Sequence, residues 1–150
     1  MKKIFKIDAA LYPLMVLTIA TGFGFHIAGH ADSHHIWVVW AYVHTFVALA
    51  FVGMIIQHLS THKAWLKGLR QKSMDRRRKI TLFLIILAVA VTVSGIALLG
   101  IDGANTSVGL THYKLGIAFA IFAIGHSAKR FKTIRKAFGN INPTGKRQAQ

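Results

Sequence analysis

The sequence predicts an all-α fold, a four-transmembrane-helix bundle built from two repeated helical hairpins. Three observations predict it: long apolar runs, a one-sided distribution of basic residues, and an internal repeat. Hydrophobic residues make up 53 % of the 150-residue chain and charged residues only 15 %, whereas a soluble domain carries about a quarter charged residues. Much of the surface is therefore expected to face lipid, and the length predicts a single domain.

Four apolar runs are each long enough to cross a membrane. Each contains about 20 residues, which as a helix spans the ~30 Å hydrocarbon core. Aromatic residues typical of the membrane interface stand near the ends of the first two runs, at Tyr12, Trp37, Trp40 and Trp65. The predicted spans are residues 9–27, 36–59, 80–100 and 108–128.

Basic residues orient these spans. The net charge is +15, and the Lys and Arg residues precede the first span, fill the second connection or follow the fourth span. Of all 19, only Lys114 lies elsewhere. The positive-inside rule therefore predicts cytoplasmic termini and a cytoplasmic middle connection, in a bacterial inner membrane. Because the basic clusters would lie against anionic headgroups, membrane lipids rather than nucleic acids are the expected partners.

The chain ends and the middle connection carry weaker signals. The N-terminus resembles a signal peptide, but its apolar run is long and lacks an Ala-x-Ala site, which favours an uncleaved first helix. The second helix is expected to extend into the cytoplasm and to turn near Ser73 and Asp75. The polar tail, 139–150, contains Gly and Pro and is expected to be a disordered cytoplasmic segment after a membrane domain at 1–138.

The second and fourth spans repeat each other and keep two histidines each. With a shift of 68 residues, the segment from His44 to His58 aligns with the segment from His112 to His126. Fourteen residues make close to four turns and rise about 21 Å, so both histidines of a helix share a face. One hairpin separates the two helices, which therefore run in the same direction. His44 is expected level with His112, and His58 level with His126.

The first and third spans repeat each other more weakly, through Thr21-Gly22 and Ser94-Gly95. Gly22 and Gly95 lie near the expected depth of the outer histidines. They either allow the close helix approach that a flat macrocycle needs or make the ordinary helix contacts of small residues in membranes.

Histidines within spans point to a functional site, because ionisable residues are costly there. The absence of cysteine excludes disulfides, cysteine-ligated iron–sulfur clusters and covalent c-type haem. Two opposed neutral imidazoles are the axial ligands that a six-coordinate haem iron needs. Two non-haem alternatives remain open: a histidine-based transition-metal or proton transporter, and a structural subunit whose histidines only pack.

Two His-x13-His helices in a four-span bundle resemble the haem-binding core of the respiratory cytochromes b. The arrangement also resembles the cytochrome b561-like superfamily and related small prokaryotic membrane cytochromes, over roughly residues 11–138. The quinone-site motif of the large respiratory cytochromes b is not recognisable. The resemblance implies two non-covalent b-type haems with bis-histidine ligation, His44 with His112 on the outer side and His58 with His126 on the inner side.

The expected function is transmembrane electron transfer, as a relay subunit that exchanges electrons with a quinone pool or a redox partner protein. The two irons would lie roughly 20 Å apart along the helix axes. No catalytic residue is predicted. Oxidoreductase activity would need a quinol or metal-reduction site at one face, and the relay is compatible with a partner subunit or an oligomer.

Several polar residues have two possible roles. Lys114 either pairs with the propionates of the outer haem or reaches the headgroups, and Arg130 is a candidate for the inner propionates. Thr45, Thr92 and Thr111 either orient imidazoles or bond back to their own helices.

A second group of histidines surrounds the first connection. It either forms an outward-facing zinc or copper site or is a polar loop. The first of these histidines, His26, is also an alternative haem ligand. The residues are His26, His30, Asp32, His34 and His35.

Overall fold

The computed structural model describes residues 3–30, 33–68, 75–101 and 106–139, with side chains for 6–30, 33–68, 75–76, 78–101 and 106–128. Over these residues the fold is all helical, as predicted. The helices are α1 (Lys3–Ala28), α2 (His34–Thr61), α3 (Lys63–Gly68), α4 (Arg76–Leu98) and α5 (Ser107–Gly139).

Within the part of the chain that the structure describes, four helices are long and apolar enough to cross a membrane. They are Lys6–Ala28, His34–Thr61, Arg78–Leu98 and Ser107–Ala128. Their outer surfaces are apolar: Phe46 is 77 % exposed and Tyr42 is 75 % exposed. Such a surface is stable only against lipid, so the protein is an integral membrane protein.

The helix ends differ from the predicted boundaries at the second connection. The second helix ends at Thr61, because His62 leaves the helical conformation and its N–H bonds to Leu59 O at 3.0 Å. A separate short helix, α3, follows, so the expected extension of the second helix is interrupted at His62. Asp75 caps α4 by accepting a hydrogen bond from the Arg78 N–H at 2.8 Å. Ser73 lies outside the described residues, as does the tail from 140 onward.

The bundle consists of two hairpins. Helix α1 packs on α2 and α4 packs on α5, and the hairpins meet mainly through α1 and α5. At this junction the Tyr12 O–H donates to Ser127 O at 3.0 Å, and the Ser127 Oγ–H donates to Met15 Sδ at 3.7 Å. The histidine-bearing helices α2 and α5 are not among the main backbone neighbours, so space remains between them.

An apolar layer crosses the middle of the bundle. Met15, Phe51 and Ala123 form its buried cluster. The rings of Phe51 and Phe119 meet edge to face, with centroids 6.2 Å apart. Each phenylalanine stands midway in sequence between the two histidines of its helix. The layer therefore separates an outer from an inner histidine level.

Candidate functional site

The outer histidines face each other across the bundle interior. The ring centroids of His44 on α2 and His112 on α5 are 6.4 Å apart, and their planes are inclined at 71°. Both side chains are half-buried. The structure therefore brings together the pair that the sequence predicts to lie at one depth.

Each outer imidazole is held by a hydroxyl of the preceding long helix. Thr21 Oγ1 lies 3.1 Å from His44 Nδ1, and Ser94 Oγ lies 3.0 Å from His112 Nδ1. These two residues occupy equivalent positions in the two hairpins.

The hydroxyl protons identify the histidine tautomer. The Thr21 hydroxyl donates to Leu17 O at 2.8 Å, and the Ser94 hydroxyl donates to Val91 O at 3.0 Å. A hydroxyl has one proton, so each oxygen accepts the imidazole Nδ1–H. The Nε2 lone pair of each histidine is then available for a metal ion.

The separation of the rings fits an ion between them. A metal–imidazole bond is about 2.0 Å, and the centre of the ring lies about 1.15 Å behind the nitrogen. Two imidazoles on opposite sides of one ion therefore have centroids about 6.3 Å apart. A direct hydrogen bond of about 3 Å would bring the centroids to about 5.3 Å. The observed centroid separation of 6.4 Å is close to the first value and exceeds the second.

The two glycines of the repeat lie directly against these rings. A Cβ atom at Gly22 would stand 3.2 Å from His44 Cε1, and one at Gly95 would stand 3.0 Å from His112 Cε1. Both distances are shorter than ordinary van der Waals contact. Each hairpin thus carries the same clamp, in which the hydroxyl holds Nδ1 and the glycine makes room for the ring.

The inner histidines line a cavity of about 330 Å³. Apolar side chains of α1, α2, α4 and α5 form most of its wall, and Asp8, Thr81, His58 and His126 are among its polar lining residues. The volume lies in the range of small-molecule sites. The His58 Nδ1–H donates to Asp8 Oδ1 at 2.8 Å, which again leaves the Nε2 lone pair available for a metal ion.

Sequence reasoning missed the residues that hold the imidazoles. The sequence did not single out Asp8, which is only 7 % exposed and contacts His58. Of the threonines with two possible roles, Thr92 and Thr111 bond back to their own helices, Thr92 to Ala88 O and Thr111 to Ser107 O. The sequence did contain a signal for Asp8, namely its depth. Asp8 precedes Thr21 by 13 residues and His58 follows His44 by 14, so Asp8 is expected near the depth of His58.

The outer cluster makes stacking and backbone contacts. His26 stacks on Tyr113 with centroids 4.1 Å apart, and the His30 Nδ1–H donates to His26 O at 2.9 Å. His34 lies against Trp37, and His35 is exposed. Within the described part of the chain, no three His, Cys, Asp or Glu residues come close enough to hold a metal ion. Asp32 lies outside the described residues.

Two basic residues are candidate propionate partners, Lys114 and Arg130. Lys114 is exposed on α5, and the Arg130 side chain lies outside the described residues.

Comparison with protein-family models, with curated proteins and with solved structures returned no match to this chain.

Proposed function

We propose that this protein is a dihaem b-type cytochrome that transfers electrons across a membrane. The observation that carries the proposal is the outer pair, His44 and His112, with ring centroids 6.4 Å apart. Both Nδ1–H groups are donated to hydroxyls, so both Nε2 lone pairs are free to bind one ion.

A haem suits this site better than a bare ion. A tetrahedral zinc site needs four ligands, and the described residues offer no group of three. A porphyrin brings four nitrogen donors of its own and requires only two axial ligands from the protein. Its apolar faces also suit the cavity beside His58 and His126, whose wall is mostly hydrocarbon.

A bound haem would supply one-electron redox chemistry. The chain's own residues provide the setting for it. Thr21 and Ser94 hold the outer imidazoles in one tautomer, and Asp8 does the same for His58. The apolar walls would exclude water, and two histidines at each level would hold the haem iron, which would disfavour oxygen binding there.

The inner histidine level lies next to the basic connection. Lys63 and Lys79 are exposed near this end of the bundle, where positive charge favours the cytoplasmic side of a bacterial inner membrane. This face would contact anionic lipid and is available to a redox partner protein, while a quinone could approach from the bilayer. The proposed relay would therefore exchange electrons with a redox partner protein at this face or with a quinone in the bilayer.

The test is a reduced-minus-oxidised visible spectrum of the detergent-purified protein, with haem quantified per chain. We expect a sharp b-type α-band and two haems. His44→Ala should remove one of them, whereas His35→Ala, an exposed control in the outer cluster, should retain both. A preparation that stays colourless with haem supplied during expression would refute the cytochrome and favour the metal or proton transporter.

A further inference from the structure

One carboxylate distinguishes the inner histidine pair from the outer pair. Asp8 lies in α1 within the first span, is 7 % exposed, and accepts the His58 Nδ1–H at 2.8 Å. Burying a charged group is costly unless it is paired and hydrogen-bonded. The hydrogen bond from His58 supplies that pairing for Asp8.

The second hairpin has no carboxylate at the equivalent position. Asp8 precedes Thr21 by 13 residues, and Thr81 precedes Ser94 by the same number. Thr81 lines the inner cavity together with His126, but its side chain is a neutral hydroxyl. The outer imidazoles are also held by hydroxyls, those of Thr21 and Ser94. Among the described residues, the one carboxylate that is both buried and bound to a histidine is therefore Asp8, at the inner histidine level.

We propose that Asp8 is a positioning residue that acts through His58 to make the inner pair the lower-potential of the two redox centres. The inference rests on the proposed function. A carboxylate that accepts the Nδ1–H makes the imidazole a more basic ligand. A more basic ligand favours the oxidised, more positively charged ion. Each centre gains one electron on reduction, and no bond is broken.

The opposing cations are weaker because they are exposed. Lys6 and Lys63 lie at the same end of the bundle and would favour the reduced form. Water, headgroups and salt screen exposed charges over about 8–10 Å. Asp8 acts at 2.8 Å from the ligand in a mostly apolar wall, where the effective dielectric constant is low. The carboxylate therefore dominates.

The experiment is a redox titration of the full-length, haem-loaded protein in detergent, comparing wild type with Asp8→Asn. His112→Ala, which removes the outer centre, identifies the spectral component of the inner one. In Asp8→Asn, the ferrous-to-ferric ratio of the inner centre at a fixed potential should rise at least tenfold, which corresponds to about 59 mV. The midpoint potential of the outer centre should not change. Asp75→Asn, which removes the exposed carboxylate that caps α4, is the matched control and should leave both centres unchanged.

A double variant keeps the test decisive if Asp8→Asn loses the inner haem. Asp8→Asn/Thr81→Asp moves the carboxylate to the equivalent position of the other hairpin, and it should return a low-potential inner centre. Failure of the double variant to return it would overturn the assignment. So would an Asp8→Asn protein that holds both haems with both potentials unchanged or shifted equally. Those two results leave the cytochrome intact, whereas a haem-free wild type refutes the proposed function itself.

Discussion

The glycine that faces the His112 ring offers a sharp test of the outer site. In Gly95→Ala the new Cβ would stand 3.0 Å from His112 Cε1, whereas ordinary contact begins at 3.4 Å. The ring must retreat by about 0.4 Å, close to the ~0.5 Å tolerance of a binding constellation. The ring cannot rotate away freely, because Ser94 holds its Nδ1.

Helix propensity favours alanine over glycine and so opposes this steric effect on stability. Replacing a helical glycine by alanine stabilises a helix by about 0.8–1.0 kcal/mol where nothing obstructs the new methyl group. At Gly116 on α5, a new Cβ would meet no atom of a neighbouring group within 4 Å, so Gly116→Ala is a matched control on the ligand helix itself. It should keep both haems and not lower the melting temperature.

The assay is haem content per chain together with the low-temperature EPR spectrum of the ferric protein. In Gly95→Ala we expect loss of the outer haem or a changed outer signal, with the inner signal unaltered. Identical haem content and identical EPR spectra for Gly95→Ala, Gly116→Ala and wild type would refute the proposed clamp.

Three further predictions address the clamp, the helix junction and the topology. Thr21→Val removes the acceptor of the His44 Nδ1–H and should weaken haem retention at the outer site about 10–100-fold, measured by haem transfer to an acceptor protein; unchanged retention would contradict the orienting role. Tyr12→Phe removes the hydrogen bond to Ser127 O and should lower the free energy of unfolding in detergent by about 1 kcal/mol with both haem spectra intact; a spectral change would count against a purely structural contact. The chain has no cysteine, so Ser33→Cys should react with an impermeant thiol reagent added to intact cells; reaction only after permeabilisation would reverse the proposed orientation.

The helical architecture was predictable because its determinants are local. Hydropathy over about 20 residues identifies each span, and the rise per residue places His44 and His58 at two depths. The match to His112 predicted which histidine His44 meets, since equal depth follows from parallel helix direction. The pairing of His58 with His126 stays a prediction. The break at His62 was not predictable in this way, because the polar sequence beyond Thr61 is compatible with helix on both sides of it.

The orientation of each imidazole depended on a neighbouring helix. Thr21-Gly22 and Ser94-Gly95 stood out as a repeat, yet their contact with a histidine ring requires the rotation and lateral position of α1 against α2 and of α4 against α5. The same holds for Asp8, which resembles a residue at the membrane edge until packing places it against His58.

The sequence by itself determined that this chain forms four membrane-spanning helices with two histidine levels, because hydrophobic length and helical rise are properties of a single segment. Only the tertiary structure decided which groups hold the histidines, how far apart the outer rings lie and which level receives the carboxylate. Those features depend on distances of a few ångströms between helices, and helix packing sets such distances through side-chain contacts that no single segment contains.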